Sequence, residues 1–227
     1  MTVDRQDLPA PPIGDLLAAE LRELAPVATR RPWRDVAAVT AAAATSIAVL
    51  VVTLAVRRDL DALPRAWLIG YGGAWLAGFA LLAWLSLVPR AGAVVPRWLP
   101  AAVGAGLAAV GFVAAGLTFD RTTALSLVYA PTTANHLLRA AACAGLGTIT
   151  ALVPMLLGAR LLRGAVPVGG AAIGSGLGAA CGAAGGFLLH LHCPITHPIH
   201  LGVGHGGAVL ICALLGALLV PVLARIR

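Results

Sequence analysis

The sequence has no lysine and very little charge of either sign. Charged residues make up 11% of the 227 residues, whereas 59% are hydrophobic. A soluble domain carries roughly 25% charged residues, so this charge deficit is too large for a surface that faces water. The composition therefore predicts a chain that places most of its surface in a lipid bilayer, its first expected partner.

Acidic residues are missing from the middle of every long apolar segment. The nine Asp and Glu residues are all assigned to the N-terminal tail or to loops. Proton-coupled transporters and pumps usually need an ionisable group inside the helix bundle. A Gly-rich phosphate loop, a nucleophile elbow and paired carboxylates are absent from the sequence as well. These absences predict that the protein is not an enzyme.

Six apolar segments have a length of about 20 residues, which is what a bilayer-spanning helix needs. They are approximately Val36–Val56, Trp67–Val88, Trp98–Phe119, His136–Leu157, Val166–Leu189 and Leu201–Leu223. The predicted fold is all-α: a polytopic membrane protein with a six-transmembrane-helix bundle over residues 36–227 and a short tail over residues 1–35. Glycines crowd the fifth segment, which favours a central position because small residues let helices approach closely.

Arginines near the ends of these segments predict the orientation in the membrane. With a cytoplasmic N-terminus, eleven of the sixteen arginines lie on the cytoplasmic side and five on the other side. This asymmetry favours a multi-pass protein of the bacterial inner membrane with both termini in the cytoplasm. The net charge of +7 is then explained by helix anchoring, and no direct binding of nucleic acid is expected.

The N-terminal tail contains one amphipathic segment. Its apolar residues recur at helical spacing on one face and are Ile13, Leu16, Leu17, Leu21 and Leu24. About 12 residues form only a marginal helix in water, so this helix should fold on a partner's groove or on the membrane. Membrane-surface helices usually carry basic residues on their polar face. Acidic residues occupy that face here, which favours a protein partner.

Histidine and cysteine concentrate between the fifth and sixth segments, on the predicted external side. The stretch His190–His200 reads HLHCPITHPIH, and one further histidine follows at the start of the last segment. A thiolate near cationic groups is reactive, which makes this region a candidate sensor of a signal. The candidate sensing residues of this region are His192, Cys193 and His205.

The same stretch contains candidate ligands for a transition metal, because imidazole and thiolate bind zinc and copper. The candidate ligands are His192, Cys193, His197 and His200. Their spacing matches no closed structural zinc pattern, and a histidine at a helix end is often only an interfacial anchor. Since residues two apart do not share a helix face, His190 and His192 could bind one metal only where the helix has ended.

Several motifs resemble the negative-regulator-of-sigma-F (NrsF-like) family of bacterial six-span anti-sigma factors. They include Cys143 early in the fourth segment with Pro154 later in it, the LHCP string at Leu191–Pro194 followed by His205, and the arginine-terminated end GALLVPVLARIR. The stretch Arg-Asp-Leu at residues 58–60 is also similar.

The resemblance implies that the tail sequesters an extracytoplasmic-function sigma factor. It also implies that two cysteines, Cys143 and Cys193 in this chain, take part in the response to a signal. The additional histidines at 197 and 200 depart from the family pattern. They leave the signal open among a heavy metal, an oxidant and light-generated singlet oxygen.

Two other classes of protein stay open at this level. One is a small metal-handling or solute-transporting membrane protein with an external His/Cys site, and the other is a structural subunit of a membrane complex. A permeation path should carry polar or ionisable residues at mid-depth. The segments carry mostly Ala, Gly, Leu and Val there, which disfavours transport. Nothing in the sequence predicts the oligomeric state.

Overall fold

The structure, a computed structural model, describes residues 31–88, 132–163 and 170–225, together with Gly14 and Gly106. Within these ranges every regular element is helical. The long helices are α1 (Pro32–Leu54), α2 (Arg65–Leu87), α3 (Thr133–Leu161), α4 (Gly170–His192) and α5 (Gly207–Arg225). A short 3₁₀ turn, Leu60–Ala62, precedes α2. A turn of helix at Pro198–His200 and a π-helical segment at Leu201–Gly206 lead directly into α5.

Five of the six predicted membrane segments correspond to these helices. Each is long and apolar enough to cross a bilayer. Each end lies within four residues of its predicted position, except that α5 itself begins six residues after Leu201, where the π-helical segment starts. The predicted third segment, Trp98–Phe119, lies outside the described residues, as does the amphipathic segment with Ile13, Leu16, Leu17, Leu21 and Leu24. The all-helical fold is therefore confirmed for the described residues, five of whose helices could cross a membrane, while the count of six spans stays a prediction.

The start of α1 corrects one detail of the sequence interpretation. Asp35 was assigned to the tail, but α1 begins at Pro32, so this carboxylate lies in the first helical turn and is buried. Proline suits the first position of a helix because the missing N–H would have no partner there. An acidic side chain in the first turn is favoured by the positive end of the helix dipole. Both residues therefore extend the helix by one turn.

Local backbone features set the other ends of the helices. Ala55 has a positive φ of 64° and ends α1, which turns the chain into the short connection to α2. Thr132 caps α3, since its hydroxyl oxygen accepts a hydrogen bond from the backbone N–H of Asn135 at 3.2 Å. These two features place the end of α1 and the start of α3 beside the functional site described below.

Helix α4 lies at the centre of the bundle, as its glycine content predicted. It packs against α1, α2, α3 and α5. A Cβ atom added at Gly178 would collide with the backbone carbonyl of Cys212 in α5, and one added at Gly185 would collide with the carbonyl of Gly147 in α3. Only glycine permits this backbone-to-backbone contact. Outward-facing aliphatic side chains such as Val52 and Leu218 cover the periphery, as expected of a surface that faces lipid.

Candidate thiol and imidazole site

Two thiols and one imidazole from three elements meet at one end of the bundle. Cys143 lies in α3, Cys193 directly follows α4, and His200 precedes the π-helical segment. The Sγ atoms of Cys143 and Cys193 are 3.7 Å apart, and Cys193 Sγ lies 3.1 Å from Nε2 of His200. These three donor atoms all lie within 4.8 Å of one another. We call Cys143, Cys193 and His200 the thiol–imidazole group.

The local sequence C-P-I-T-H-P explains why Cys193 and His200 become neighbours. The N–H of Cys193 still donates to the carbonyl of Leu189 at 2.7 Å, but Pro194 has no N–H with which to continue α4. After this interruption, Nδ1 of His197 accepts a hydrogen bond from the N–H of Ile199 at 3.3 Å and caps the next helical turn. The two prolines therefore produce a tight reversal.

The hydrogen bonds of His200 define its tautomer. Its Nδ1 lies 3.3 Å from the backbone carbonyl oxygen of His136. A carbonyl can only accept, so Nδ1 carries the proton and Nε2 faces Cys193. In the neutral ring Nε2 accepts from the Cys193 thiol or offers its lone pair to a metal cation, and only the imidazolium form donates from Nε2 to a thiolate. Such an outer contact is how proteins orient a ligating imidazole.

Cys193 is the more activated of the two thiols. The pKa of its thiol lies well below the ordinary value because the Cys143 thiol donates a hydrogen bond to it and His200 adds a second one. These contacts outweigh burial, which acts in the opposite direction. Because the thiolate is the nucleophilic and metal-binding form of cysteine, Cys193 is suited to react with electrophiles, oxidants or soft cations.

The spacing of the donor atoms suits a tetrahedral thiophilic cation. Two thiolates that bind one zinc ion at about 2.3 Å lie about 3.8 Å apart, and the two sulfur atoms here are 3.7 Å apart. A thiolate and an imidazole nitrogen on the same ion lie about 3.6 Å apart. The 3.1 Å between Cys193 and His200 therefore needs to widen only slightly. The geometry fits zinc or a similar cation with little rearrangement.

His205 lies next to the thiol–imidazole group, and its proximity also contributes to the lowered pKa of the Cys193 thiol. Its side chain is 1% exposed, and both ring nitrogens lack a nitrogen or oxygen partner among the described residues. The ring centroid is 6.1 Å from that of His200. An unpaired buried polar group is costly, and π-helical turns often occur at functional sites. His205 is therefore the nearest candidate for a further ligand or proton acceptor.

The other histidines of the sequence cluster have different neighbours. His190 donates from Nε2 to the carbonyl of Leu68 at 3.0 Å, and His192 donates from Nδ1 to the carbonyl of Ala55 at 2.9 Å. The ring of His197 stacks on that of His136 at 3.9 Å. Because α4 stays helical through His192, the first two histidines point to different helices, as the two-residue spacing implied.

The set of grouped donors therefore differs from the set of candidate metal ligands predicted from sequence. Cys193 and His200 belong to the group, whereas His192 and His197 lie outside it. Cys143, which the sequence interpretation placed among the sensing residues, supplies the third donor. The difference arises because the sequence cluster is local, while the structural group joins residues from helices that are distant in sequence.

A buried ion pair beside the site escaped the sequence interpretation. Arg57 makes two hydrogen bonds to the carboxylate of Asp59, at 2.6 and 2.7 Å, and also donates to the carbonyl of Pro194 at 3.1 Å. Its backbone N–H donates to the carbonyl of Leu191 at 3.0 Å. These contacts tie the loop after α1 to the segment that carries Cys193. The sequence did contain a signal for this ion pair. Asp59 follows Arg57 by two residues in a chain that has few acidic residues.

Five described helices that are long and apolar enough to cross a bilayer, with two thiols and buried imidazoles grouped at one end, indicate a membrane protein with a cluster of thiol and imidazole groups. The chain belongs to the NrsF family, described as negative regulator of sigma F, whose family model matches residues 17–226. Searches of curated proteins and of solved structures found no match. The resemblance seen in the sequence motifs is confirmed, and membership implies an anti-sigma factor.

Proposed function

We propose that this protein is an anti-sigma factor of the bacterial inner membrane with six spans and both termini in the cytoplasm. Its N-terminal tail sequesters an extracytoplasmic-function sigma factor and releases it when a signal reaches the thiol–imidazole group. The family match over residues 17–226 is the observation that carries this proposal. The five apolar helices and the arginine asymmetry support the membrane location and the orientation.

The proposed partner contact is the apolar face of the tail helix, formed by Ile13, Leu16, Leu17, Leu21 and Leu24. An amphipathic helix of this length gains stability by laying that face into a groove of its partner. Occupation of such a groove on the sigma factor prevents its use by RNA polymerase. The acidic residues on the opposite face agree with a protein partner more than with a lipid surface.

The proposed signal is a soft metal ion or an oxidant, including singlet oxygen generated by light. A metal would be held by Cys143, Cys193 and His200, with His205 adjacent. With a hydroperoxide, the Cys193 thiolate attacks the peroxide oxygen, forming a sulfenic acid and releasing an alcohol. Cys143 then displaces water and closes a disulfide. A disulfide replaces the present 3.7 Å contact between the two thiols with a covalent bond, whereas a metal replaces their hydrogen bond with ligation at nearly the same sulfur–sulfur separation.

The three donors belong to elements whose relative positions can carry the signal. Cys143 is part of α3, Cys193 follows α4, and His200 leads into α5, so ligation or oxidation acts on all three helices at once. Before the signal, bound and released sigma factor stand at about 99:1. To change this ratio to about 1:99, the signal must supply roughly 5.5 kcal/mol. A bound metal or a new disulfide is of this magnitude.

The decisive test is co-purification of a sigma factor with the tagged full-length protein from membranes of the native host. The wild-type protein should retain a sigma factor, and the variant Leu17→Asp with Leu21→Asp should lose it. Leu8→Asp, which lies outside the predicted helix face, serves as the matched control and should behave like wild type. Recovery of equal amounts of sigma factor with all three proteins would contradict the proposed contact.

The sensing step is tested on the same complex. Addition of a cadmium or zinc salt, or of a hydroperoxide, should release the sigma factor from the wild-type protein. The double variant Cys143→Ser with Cys193→Ser should retain it. The variant Cys181→Ser with Cys212→Ser, which removes two buried cysteines outside the group, should still release it. Release from the first double variant would show that the signal is detected elsewhere.

A further inference from the structure

A cavity of about 590 Å³ opens beside the thiol–imidazole group. It lies between the end of α1, the start of α3 and the end of α4. Residues that line it include Leu54, Arg57, Arg58, Arg139, Cys143 and Leu146. Its volume falls within the range of about 300–1,000 Å³ that is typical of small-molecule sites. The size is therefore suitable for a ligand, and the lining identifies its chemical class.

The charge of the lining is strongly positive. Three arginines and no carboxylate are among the described residues that line the cavity. The charge of Arg57 is compensated by its bidentate ion pair with Asp59. Arg58 and Arg139 are both exposed. Guanidinium groups match the geometry of phosphate oxygens, so a lining that contains three arginines favours an oxyanion.

The position and the remaining lining favour an oxyanion that is attached to an apolar group. Leu54 is the last residue of the membrane-spanning helix α1, and Arg139 lies in the second turn of α3. The cavity thus lies at the level where the spans end, and Leu54 and Leu146 form an apolar part of its wall. Basic pockets between transmembrane helices bind anionic lipid head groups on the cytoplasmic side of membranes, and the same charge pairing is available to a head group at the external side predicted for this cavity.

We propose that this cavity binds a phosphate oxyanion, supplied either by the head group of an anionic phospholipid or by free phosphate. Arg58 and Arg139 bind the phosphate, and the apolar wall contacts the acyl region when the source is a lipid. Cys143 is the more exposed of the two grouped thiols and lines the same cavity. A bound phosphate group therefore covers Cys143 and shields it from reagents.

The test measures how fast Cys143 reacts in the full-length protein. Replacement of Cys181, Cys193 and Cys212 by serine leaves Cys143 as the only thiol of the chain. The protein is placed in nanodiscs of phosphatidylcholine alone or with phosphatidylglycerol, and modification by an uncharged maleimide is followed. At a lipid concentration about ten times the Kd, we expect phosphatidylglycerol to slow the reaction about tenfold.

Two further comparisons show whether the protection of Cys143 arises in the cavity and whether a lipid or free phosphate provides it. The variant Arg58→Gln with Arg139→Gln should lose the protection, whereas Arg160→Gln, which removes an exposed arginine at the far end of α3, should keep it. Both cavity arginines are exposed, and circular dichroism of the double variant checks that the fold is retained. Protection by inorganic phosphate in phosphatidylcholine nanodiscs identifies the free anion as the source, and protection by phosphatidylglycerol alone identifies the lipid.

The proposal is overturned by equal reaction rates in phosphatidylcholine, in phosphatidylglycerol and with added phosphate. Protection that persists in the Arg58→Gln, Arg139→Gln variant, or that disappears in Arg160→Gln, overturns it as well, since the anion would then act through the general surface charge. The readout does not involve a sigma factor. Its outcome is therefore independent of whether the protein acts as proposed above.

Discussion

The two halves of α4 are held in the bundle by opposite kinds of contact. Around Gly178 and Gly185 the helix meets its neighbours backbone to backbone, with no room for a side chain. From His190 to Cys193 the contacts are instead hydrogen bonds made by imidazole and thiol groups. The first region depends on shape alone. The second consists of groups whose protonation, oxidation or ligation can change.

This difference suggests that the two parts of α4 have different roles. A chemical change at the polar end can move the other helices only when the glycine-packed part of α4 moves as a rigid unit. Close-packed interiors have this property because they deform little and tend to shift as units. The glycine contacts should therefore determine whether the protein folds, and the polar end should determine how it reacts. The following predictions test this separation.

The largest effect is expected from Gly178→Leu. A side chain at this position must displace the backbone of α5, and overpacking of this kind costs about 3 kcal/mol or more where the backbone has to move. We expect loss of the folded protein or a much lower midpoint of thermal unfolding in detergent, measured by circular dichroism. Gly145→Leu is the control, because a Cβ there meets no atom within 4 Å. Equal melting of both variants would refute the packing argument.

A smaller loss of stability is expected from Asp59→Asn. This change leaves Arg57, whose side chain is 1% exposed, without its anionic partner, and breaking a buried pair costs about 3 kcal/mol. The free energy of unfolding, obtained by titration with sodium dodecyl sulfate, should fall accordingly. Asp61→Asn, which changes an exposed acid in the same loop, should have almost no effect. A loss of equal size in Asp61→Asn would remove the special role of the ion pair.

The pH dependence of Cys193 alkylation should change in His200→Ala. In the wild-type protein the lowered pKa of Cys193 extends the thiolate form below the usual thiol pKa of about 8.5, so its alkylation should persist to lower pH than that of an ordinary cysteine. Loss of the His200 hydrogen bond should move the midpoint to higher pH. The rate of iodoacetamide labelling, followed by mass spectrometry, measures this shift.

His192→Ala is the matched control for the alkylation experiment, because His192 bonds to Ala55 and lies outside the thiol–imidazole group. Its alkylation midpoint should coincide with that of the wild-type protein. A midpoint that is unchanged in His200→Ala, or shifted equally in both variants, would show that His200 does not activate the thiol.

The smallest effect is expected from His197→Ala. Loss of the stacked contact with His136 should cost about 1 kcal/mol or less, and the affinity for zinc or cadmium should stay unchanged because His197 is not among the grouped donors. Calorimetric titration with the metal salt measures this, with His200→Ala as the variant that should lose affinity. A loss of affinity in His197→Ala would return this residue to the ligand set.

The architecture was predictable wherever the signal is local in sequence. The five described helices end within four residues of their predicted positions, because a run of about 20 apolar residues can satisfy its backbone in a bilayer only as a helix. The central place of α4 followed from its glycines. Asp35 was assigned to the tail because the start of α1 was placed at the first apolar residue. The helix begins one turn earlier, since Pro32 and Asp35 favour a helix start although neither is part of the apolar run.

The site was predictable only in part. Cys193 and the histidines were visible as a cluster, and the family motifs pointed to Cys143. The partners of each side chain were not visible, because His192 turned to the loop after α1 and His197 to His136. The arginine-lined cavity was missed because its members come from segments far apart in the chain. The ion pair of Arg57 with Asp59 was missed although the two residues are only two positions apart, because their burial depends on the tertiary structure.

Sequence alone determined that this chain is a helical membrane protein of the NrsF type with a concentration of thiols and imidazoles at one end. Apolar length, glycine content and motif spacing are properties of contiguous residues. A contiguous apolar segment in a bilayer can satisfy its backbone hydrogen bonds in few ways other than as a helix. Tertiary structure decided which donors meet, which tautomer His200 adopts and where positive charge surrounds a cavity. These depend on distances between helices, which the packing of α3, α4 and α5 sets and which no single segment encodes.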